Sequence, residues 1–205
     1  MFTGLIREIA TVKAQRENRL TISAKYRPKI GDSIAINGVC LTVVKVEQTT
    51  FDVELGSETR DIISAEKFQG RVHMEPAMRA DDRFEGHIVQ GHIDATGIVK
   101  SITQNGNSVD IIIGIDKKHI INIIPKGSIT IDGVSLTIND VFEDSFRLTI
   151  IPHTIKETLI GTYKVGDKIN IETDLFARYI SRILLHKTGE KNLTWNDIER
   201  MHSLY

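Results

Sequence analysis

The chain has 205 residues, 40% apolar and 26% charged, which is the composition of a folded globular protein and excludes a disordered one. Its formal charge is −1 and only 6% of its residues are aromatic, which excludes the basic groove with stacking rings that nucleic-acid modules use. A single cysteine, Cys40, excludes an intrachain disulfide and a Cys-rich zinc site and fits a reducing compartment.

From the N-terminus, Met1-Phe-Thr-Gly-Leu-Ile6 leads into Arg7 and Glu8, charges that interrupt any secretory apolar core. No apolar run approaches the ~20 residues of a membrane helix, so a soluble cytoplasmic protein is expected. Leu20–Ser23, Ser33–Ile36 and Phe51–Leu55 alternate apolar and polar residues, the period of strands with one buried face. Asn37-Gly38 between two of these runs signals a tight turn, because glycine tolerates positive φ. Arg60 to Phe68 suggests a short helix, and the apolar pattern restarts near Glu85-Gly86-His87.

Beyond that point the chain repeats itself, and an internal echo decides the architecture. Asn37-Gly-Val-Cys-Leu-Thr-Val-Val44 is answered by Asp132-Gly-Val-Ser-Leu-Thr-Ile-Asn139, with Ser135 in the place of Cys40. Ile30–Ile36 is answered by Pro125–Ile131, Phe51–Thr59 by Phe146–Thr154, and Val72-His-Met-Glu75 by Ile169-Asn-Ile-Glu172. The openings match more loosely, Gly4 facing Gly91, which requires an insertion in the second copy near Gln104 to Ser108. Asn105-Gly106 and Asp132-Gly133 supply further turns, and Ser128–Ile131 a further strand; Lys117 to Ile124 suggests another short helix. About six short strands fit each copy. The expected fold is all-β, two tandem six-stranded barrels, since closure leaves few exposed edges.

The tail changes character. Asp174 caps a predicted helix with apolar residues at 175, 176, 179, 180, 183 and 184, one stripe at helical period. Lys187 lies near its end and Gly189 supplies a stop. A second short helix is expected with Thr194 as N-cap, Asp197 at the capping-box position and Leu193 stapled to Ile198. The first helix must bury its stripe on its own barrels or on a partner subunit.

The candidate chemistry sits on the echo. Cys40 alone reads as a small buried hydrophobe, but Ser135 in the same place makes both positions small nucleophilic or hydrogen-bonding groups. Thr42 and Thr137 add hydroxyls on the same strand faces, a polar lining unlike a pure core. Gly86-His-Ile-Val-Gln-Gly-His92 contains two histidines, but five residues apart and without a third ligand they do not make a metal site. His92 beside Gly91 is the candidate general acid or base. Lys126, Thr59 and Thr154 are placed at strand ends near turns. Glu172 and Asp174 are either general bases or a solvated face with a helix cap. A triad of Ser135, His92 and Asp132 can be written on paper, with no local motif to support it.

Met1–Ile6, Asn37–Val43, Gly86–Asp94, Lys126–Thr137 and Ile151–Thr154, in this order and in two tandem copies, resemble riboflavin synthase of the α-chain type over essentially the whole chain. The common Gly-Gly-His of that family becomes Glu85-Gly86-His87 here, a departure that touches no principal motif. The resemblance implies Greek-key barrels with a C-terminal helix, divided at 1–87, 88–184 and 185–205. It implies a homotrimer built around those helices, each barrel binding one 6,7-dimethyl-8-ribityllumazine. By the same resemblance, two such molecules are expected to dismutate by four-carbon transfer to riboflavin and 5-amino-6-(D-ribitylamino)uracil. The resemblance places the site between the N-terminal barrel of one subunit and the C-terminal barrel of its neighbour, and implies no cofactor and no metal. Carried over by position, the first cradle comprises Gly4, Leu5, Ile6, Cys40, Leu41 and Thr42, then Glu54, Leu55, Gly56, Ser57, Glu58 and Thr59. The second comprises Gly91, His92, Ile93, Lys126, Ser135, Leu136 and Thr137, then Thr149, Ile150, Ile151, Pro152, His153 and Thr154. His92 is expected as proton shuttle, Ser135 and Thr137 as hydrogen-bonding activators, and Cys40 as a facing polar group or nucleophile. A non-catalytic antenna protein of the same fold is the alternative; both cradles keep their polar sets, which favours the enzyme.

Overall fold

The computed structural model describes residues 1–16, 18–56, 63 and 68–189, the side chains of 186–189 excepted. Alternating burial builds two closed antiparallel barrels. The first contains β1 (Glu8–Arg16), β2 (Arg19–Ser23), β3 (Ser33–Ile36), β4 (Val39–Val46), β5 (Thr50–Glu54) and β6 (Gly70–Pro76), in the order β1-β2-β5-β4-β3-β6. The second contains β7 (Ala95–Asn105), β8 (Ser108–Ile115), β9 (Ser128–Ile131), β10 (Val134–Val141), β11 (Ser145–Ile150) and β12 (Lys168–Thr173), in the equivalent order β7-β8-β11-β10-β9-β12. The last strand of each barrel closes it by pairing with both the first and the third. Two six-stranded barrels are therefore present, as the repeat predicts, with the Greek-key order that the resemblance implies. The β7–β8 hairpin is the longer of the two opening hairpins, where the second copy was expected to carry its insertion.

Each core is the inward half of the period-two pattern. Leu20, Ile22, Ile34, Val43, Phe51 and Met74 fill the first, while Val99, Ile113, Ile129, Phe146, Leu148 and Ile171 fill the second. The connection between β6 and β7 contains the predicted boundary near residues 85–87; the division at 184 falls inside the last helix.

The helices differ more from expectation. Helix α1 covers only Lys117–Ile120, opened by the Asp116 side chain on the Lys118 N–H. It stops there because the chain turns through Asn122 N–H to His119 O and Ile123 N–H to Ile120 O, burying Ile123 in the second core. Pro125 bars any continuation. Most of the Arg60–Phe68 stretch lies outside the described residues. Thr154, expected at a strand end, is inside a helix instead: β11 stops at Ile150 and α2 (Pro152–Glu157) begins with proline, whose fixed φ suits a first helical turn.

Helix α3 (Leu175–Gly189) starts where Asp174 Oδ1 accepts the N–H groups of Phe176 and Ala177 at 2.9 and 3.1 Å. It rests on the barrel through its small and polar side, with Ala177 buried and Arg178 half-buried. The apolar stripe faces outward: Phe176, Tyr179, Ile180 and Ile183 are each more than half exposed, at 55–59%. The Lys187 side chain and the predicted helix around Thr194 and Asp197 lie outside the described residues.

The two barrels meet about a local twofold relation. Asn37 and Gly38 have φ of 45° and 81°, and Asp132 and Gly133 have 43° and 86°, so both turns are of type I′. They abut: a Cβ on Gly38 would sit 2.7 Å from Gly133 N, and one on Gly133 would sit 2.8 Å from Gly38 N. The Asn170 side-chain amide donates to Asn37 O at 3.1 Å. His73 takes the matching place, with Nδ1 2.8 Å from Asp132 O. Because the Leu159 N–H donates to His73 Nε2 at 2.7 Å, Nδ1 bears the proton and donates to the carbonyl.

Candidate active site

The elements that form the site are exchanged between barrels. The opening segment of each copy leaves its own barrel and lies on the other. Phe2 pairs with Val89, N–H to O at 2.7 Å and back at 3.1 Å. From there Gly4 O accepts the Ser135 N–H at 2.8 Å, and Gly91 O accepts the Cys40 N–H at 2.9 Å. A Cβ on Gly4 would lie 2.5 Å from Ser135 Cβ, and one on Gly91 would lie 2.6 Å from Cys40 Cβ. Only glycine permits that approach, at the positive φ both adopt. Ile93 accordingly packs in the first core and Ile6 against the second. The cradles expected by copy are thus regrouped: Gly4–Ile6 belong with Ser135, and Gly91–Ile93 with Cys40.

Two buried carboxylates hold these segments. Glu75, at the end of β6, accepts Thr3 N–H at 2.7 Å, Thr3 Oγ1–H at 2.8 Å and Gly4 N–H at 3.0 Å. Glu172, on β12, accepts the N–H groups of Gln90, Gly91 and His92 at 2.8, 2.8 and 3.1 Å. Burial pushes both carboxyls up, Glu172 to about 7, against the pull of those donors. Both glutamates are anchors of the backbone. Asp174, read as base or cap, is the cap.

On the first barrel, Cys40 and Thr42 of β4 lie beside Ala35 and Ser33 of β3. Cys40 is half-buried; burial raises its thiol pKa, opposed by a hydrogen bond with Ser33. Phe2, Val89 and Ala35 form an apolar patch against it. On the second barrel, Ser135 and Thr137 of β10 pair with Thr130 and Ser128 of β9. Here the surroundings are polar: His87 Nδ1 is 2.7 Å from Ser135 Oγ, and its Nε2 is 3.2 Å from Thr130 Oγ1. Burial lowers the His87 pKa, the Asp174 charge opposing.

The predicted residues are distributed unevenly about these faces. His92 has its N–H on Glu172 and its ring exposed; the imidazole that reaches Ser135 is that of His87. The repeat hides His87, because its counterpart would precede Met1. Asp132 does not approach Ser135 as a triad requires: its carboxylate accepts from Asn170 N–H and Tyr163 O–H at the seam. Leu41, Leu55 and Ile150 point into the cores, leaving only their backbone for a ligand, while Leu136 is half-buried. Thr42, Glu54, Gly56, Lys126 and Thr137 are exposed. Glu54 pairs across from Thr42 and accepts from Asn18 at 2.7 Å. In the place of Glu54, Thr149 donates to Asp110 at 2.7 Å. Ile151, Pro152 and His153 are exposed at the start of α2, and Ser57, Glu58 and Thr59 lie outside the described residues. A recess lined by Ala14, Arg16, Arg19, Lys45 and Asp52 contains no predicted residue. Among the described residues no group of three or more metal-ligating side chains converges, and no helix is long and apolar enough to cross a membrane.

The Lumazine binding domain model matches residues 3–77 and again 90–174. The chain is 42% identical over 200 residues to riboflavin synthase of Actinobacillus pleuropneumoniae, covering 93% of each. To riboflavin synthase of Bacillus subtilis (strain 168) it is 40% identical over 199 residues, covering 93% of this chain and 92% of the relative. The crystal structure of LumP complexed with riboflavin has the same fold, with TM-score 0.75 at 22% identity over 84% of this chain and 99% of that one. With two matched domains, two barrels and relatives of this similarity, the chain belongs to the riboflavin synthase family.

Proposed function

We propose that this protein takes two molecules of 6,7-dimethyl-8-ribityllumazine to riboflavin and 5-amino-6-(D-ribitylamino)uracil by transfer of a four-carbon unit. The observation that carries this reading is the pair of exchanged faces: Cys40 and Thr42 walled by Gly91–Ile93, Ser135 and Thr137 walled by Gly4–Ile6. Two identical reactants need two equivalent holders. Fixing them against each other removes about 7–11 kcal/mol of barrier when the pose is near attack.

The faces are equivalent in backbone and different in chemistry, as the reaction requires of a donor and an acceptor. In the tautomer with Nε2 protonated, His87 donates to Thr130 and accepts the Ser135 O–H at Nδ1. Ser135 then serves as the hydrogen-bonding or nucleophilic activator at the 7-position of one lumazine. Cys40, in apolar surroundings with its thiol pKa raised, is a neutral facing group for the other. Thr42, Thr137 and Lys126 hold the ribityl chain, and His92 relays the proton lost from the acidic 7-methyl group.

The outward apolar stripe of α3 supports a homotrimer assembled through that helix, and the single cysteine fits a cytoplasmic, reducing compartment. The first barrel of one subunit then faces the second barrel of its neighbour. Incubating the purified protein with the lumazine and following riboflavin absorbance tests the activity: one riboflavin per two lumazines is expected. Tight binding without product would assign the chain to holding the heterocycle instead.

A further inference from the structure

The two buried carboxylates do the same work but differ in what attends them. Beside Glu75, the attending positive charge is Arg7, in the very segment that Glu75 holds. In the second copy the position answering Arg7 is Asp94, so the charge is inverted and a second carboxylate stands near Glu172. Asp94 accepts Thr173 N–H at 3.1 Å and the Thr173 hydroxyl. The cation comes from elsewhere. Arg178, in the first turn of α3, places Nη2 3.7 Å from Glu172 Oε1 and 3.0 Å from Gln90 Oε1, with Nε 3.5 Å from Asp94 Oδ2. One guanidinium thus spans both ends of the 90–94 segment and the carboxylate that holds its amides.

We propose that Arg178 is a positioning residue: from the root of α3 it holds the 90–94 wall against Cys40. The seating of that helix therefore sets the ligand-binding face of the first barrel and leaves that of the second alone. The selectivity follows from the exchange of segments. Residues 90–93 lie on the first barrel, whereas Thr3 and Gly4, on the second, are held by Glu75, whose attending charge is Arg7 from the segment itself. Burial that raises the Glu172 pKa makes the attending cation more consequential there than at a solvated pair. The helix that presents its apolar stripe to other subunits is thereby joined to the wall of one ligand site. The link from wall to ligand rests on the proposed lumazine chemistry.

Hydrogen exchange on the full-length protein tests the tie without any ligand. With Arg178→Gln, exchange in peptides spanning 88–94 is expected to rise about tenfold, the scale of one charge-assisted hydrogen bond, while peptides spanning 2–7 stay unchanged. Arg178→Lys restores charge and is expected to recover most of the protection. Equal acceleration in both segments, no change at 88–94, or Arg178→Lys behaving as Arg178→Gln would each overturn the proposal. Titration with 6,7-dimethyl-8-ribityllumazine forms the second arm: one of two sites per chain weakens in Arg178→Gln, and both weakening alike, or neither weakening, overturns it. If the parent protein binds no lumazine, the functional reading fails while the exchange result still stands.

Discussion

Cys40 and Ser135 occupy one place in two copies of a single fold, and their neighbours separate their chemistry. Ser135 has an imidazole at hydrogen-bond distance; Cys40 has Phe2, Ala35 and Val89 and a hydrogen bond with Ser33. His87→Gln is therefore expected to lower kcat by about 10²-fold, the scale of a lost general acid or base, measured by steady-state riboflavin formation. Its pH dependence has a definite sign. Burial holds the folded-state pKa below the usual 6.5, so the neutral imidazole persists as pH falls and the acid limb of kcat lies below that value. For the same reason His87 costs stability as pH drops below 6.5: the unfolded chain takes up the proton first. Cys40→Ser copies what the second barrel already uses and is expected to keep the face of the first barrel intact. If Cys40→Ser and His92→Ala both stay within about threefold of the parent rate, well short of the 10² or more of a lost catalytic group, neither acts in the proton or bond-making steps.

At the scale of elements, α3 is a helix whose better hydrophobic side is turned away from its own barrel. Ala177 and Arg178 make the near face and Phe176, Tyr179 and Ile183 the far one, while Ile180 and Leu184 line an apolar recess with Ile121 and Ile124 of the second barrel. Exposed stripes of this size mark association surfaces. Ile183→Asp is expected to dissociate the proposed homotrimer to monomers in sedimentation velocity, with the far-ultraviolet spectrum of the barrels retained. Turnover should fall with the assembly, because the proposed site takes one barrel from each of two subunits. A variant that stays trimeric would remove α3 from the interface.

For the whole molecule, the seam of two type I′ turns fixes how the barrels face each other. Gly133→Ala adds a methyl 2.8 Å from Gly38 N at a φ of 86°. Left-handed strain and overpacking against backbone together cost roughly 2–5 kcal/mol, a loss to be read from the urea midpoint. Because the same seam aligns the exchanged segments, ligand affinity should weaken at both faces together. Wild-type affinity with a lowered midpoint would mean that the segments, not the seam, carry the alignment.

The sequence by itself determined the repeat, the strands and the polar positions on them. These are local matters: period-two burial is written residue by residue, and Asn37-Gly38 and Asp132-Gly133 specify their turns through backbone sterics alone. Asp174 was likewise legible as a cap, since a cap needs only the next turn of helix. Tertiary structure alone decided that Gly4 meets Ser135 and Gly91 meets Cys40. A repeat aligns each segment with its own copy and says nothing about which barrel the segment crosses to. The same holds for His87, which has no counterpart to betray it, and for Arg178, which looks like one more solvated helix charge until Gln90, Asp94 and Glu172 converge on it. Contacts between residues eighty or more apart in sequence depend on closing the barrels first, and packing, not pattern, makes that choice.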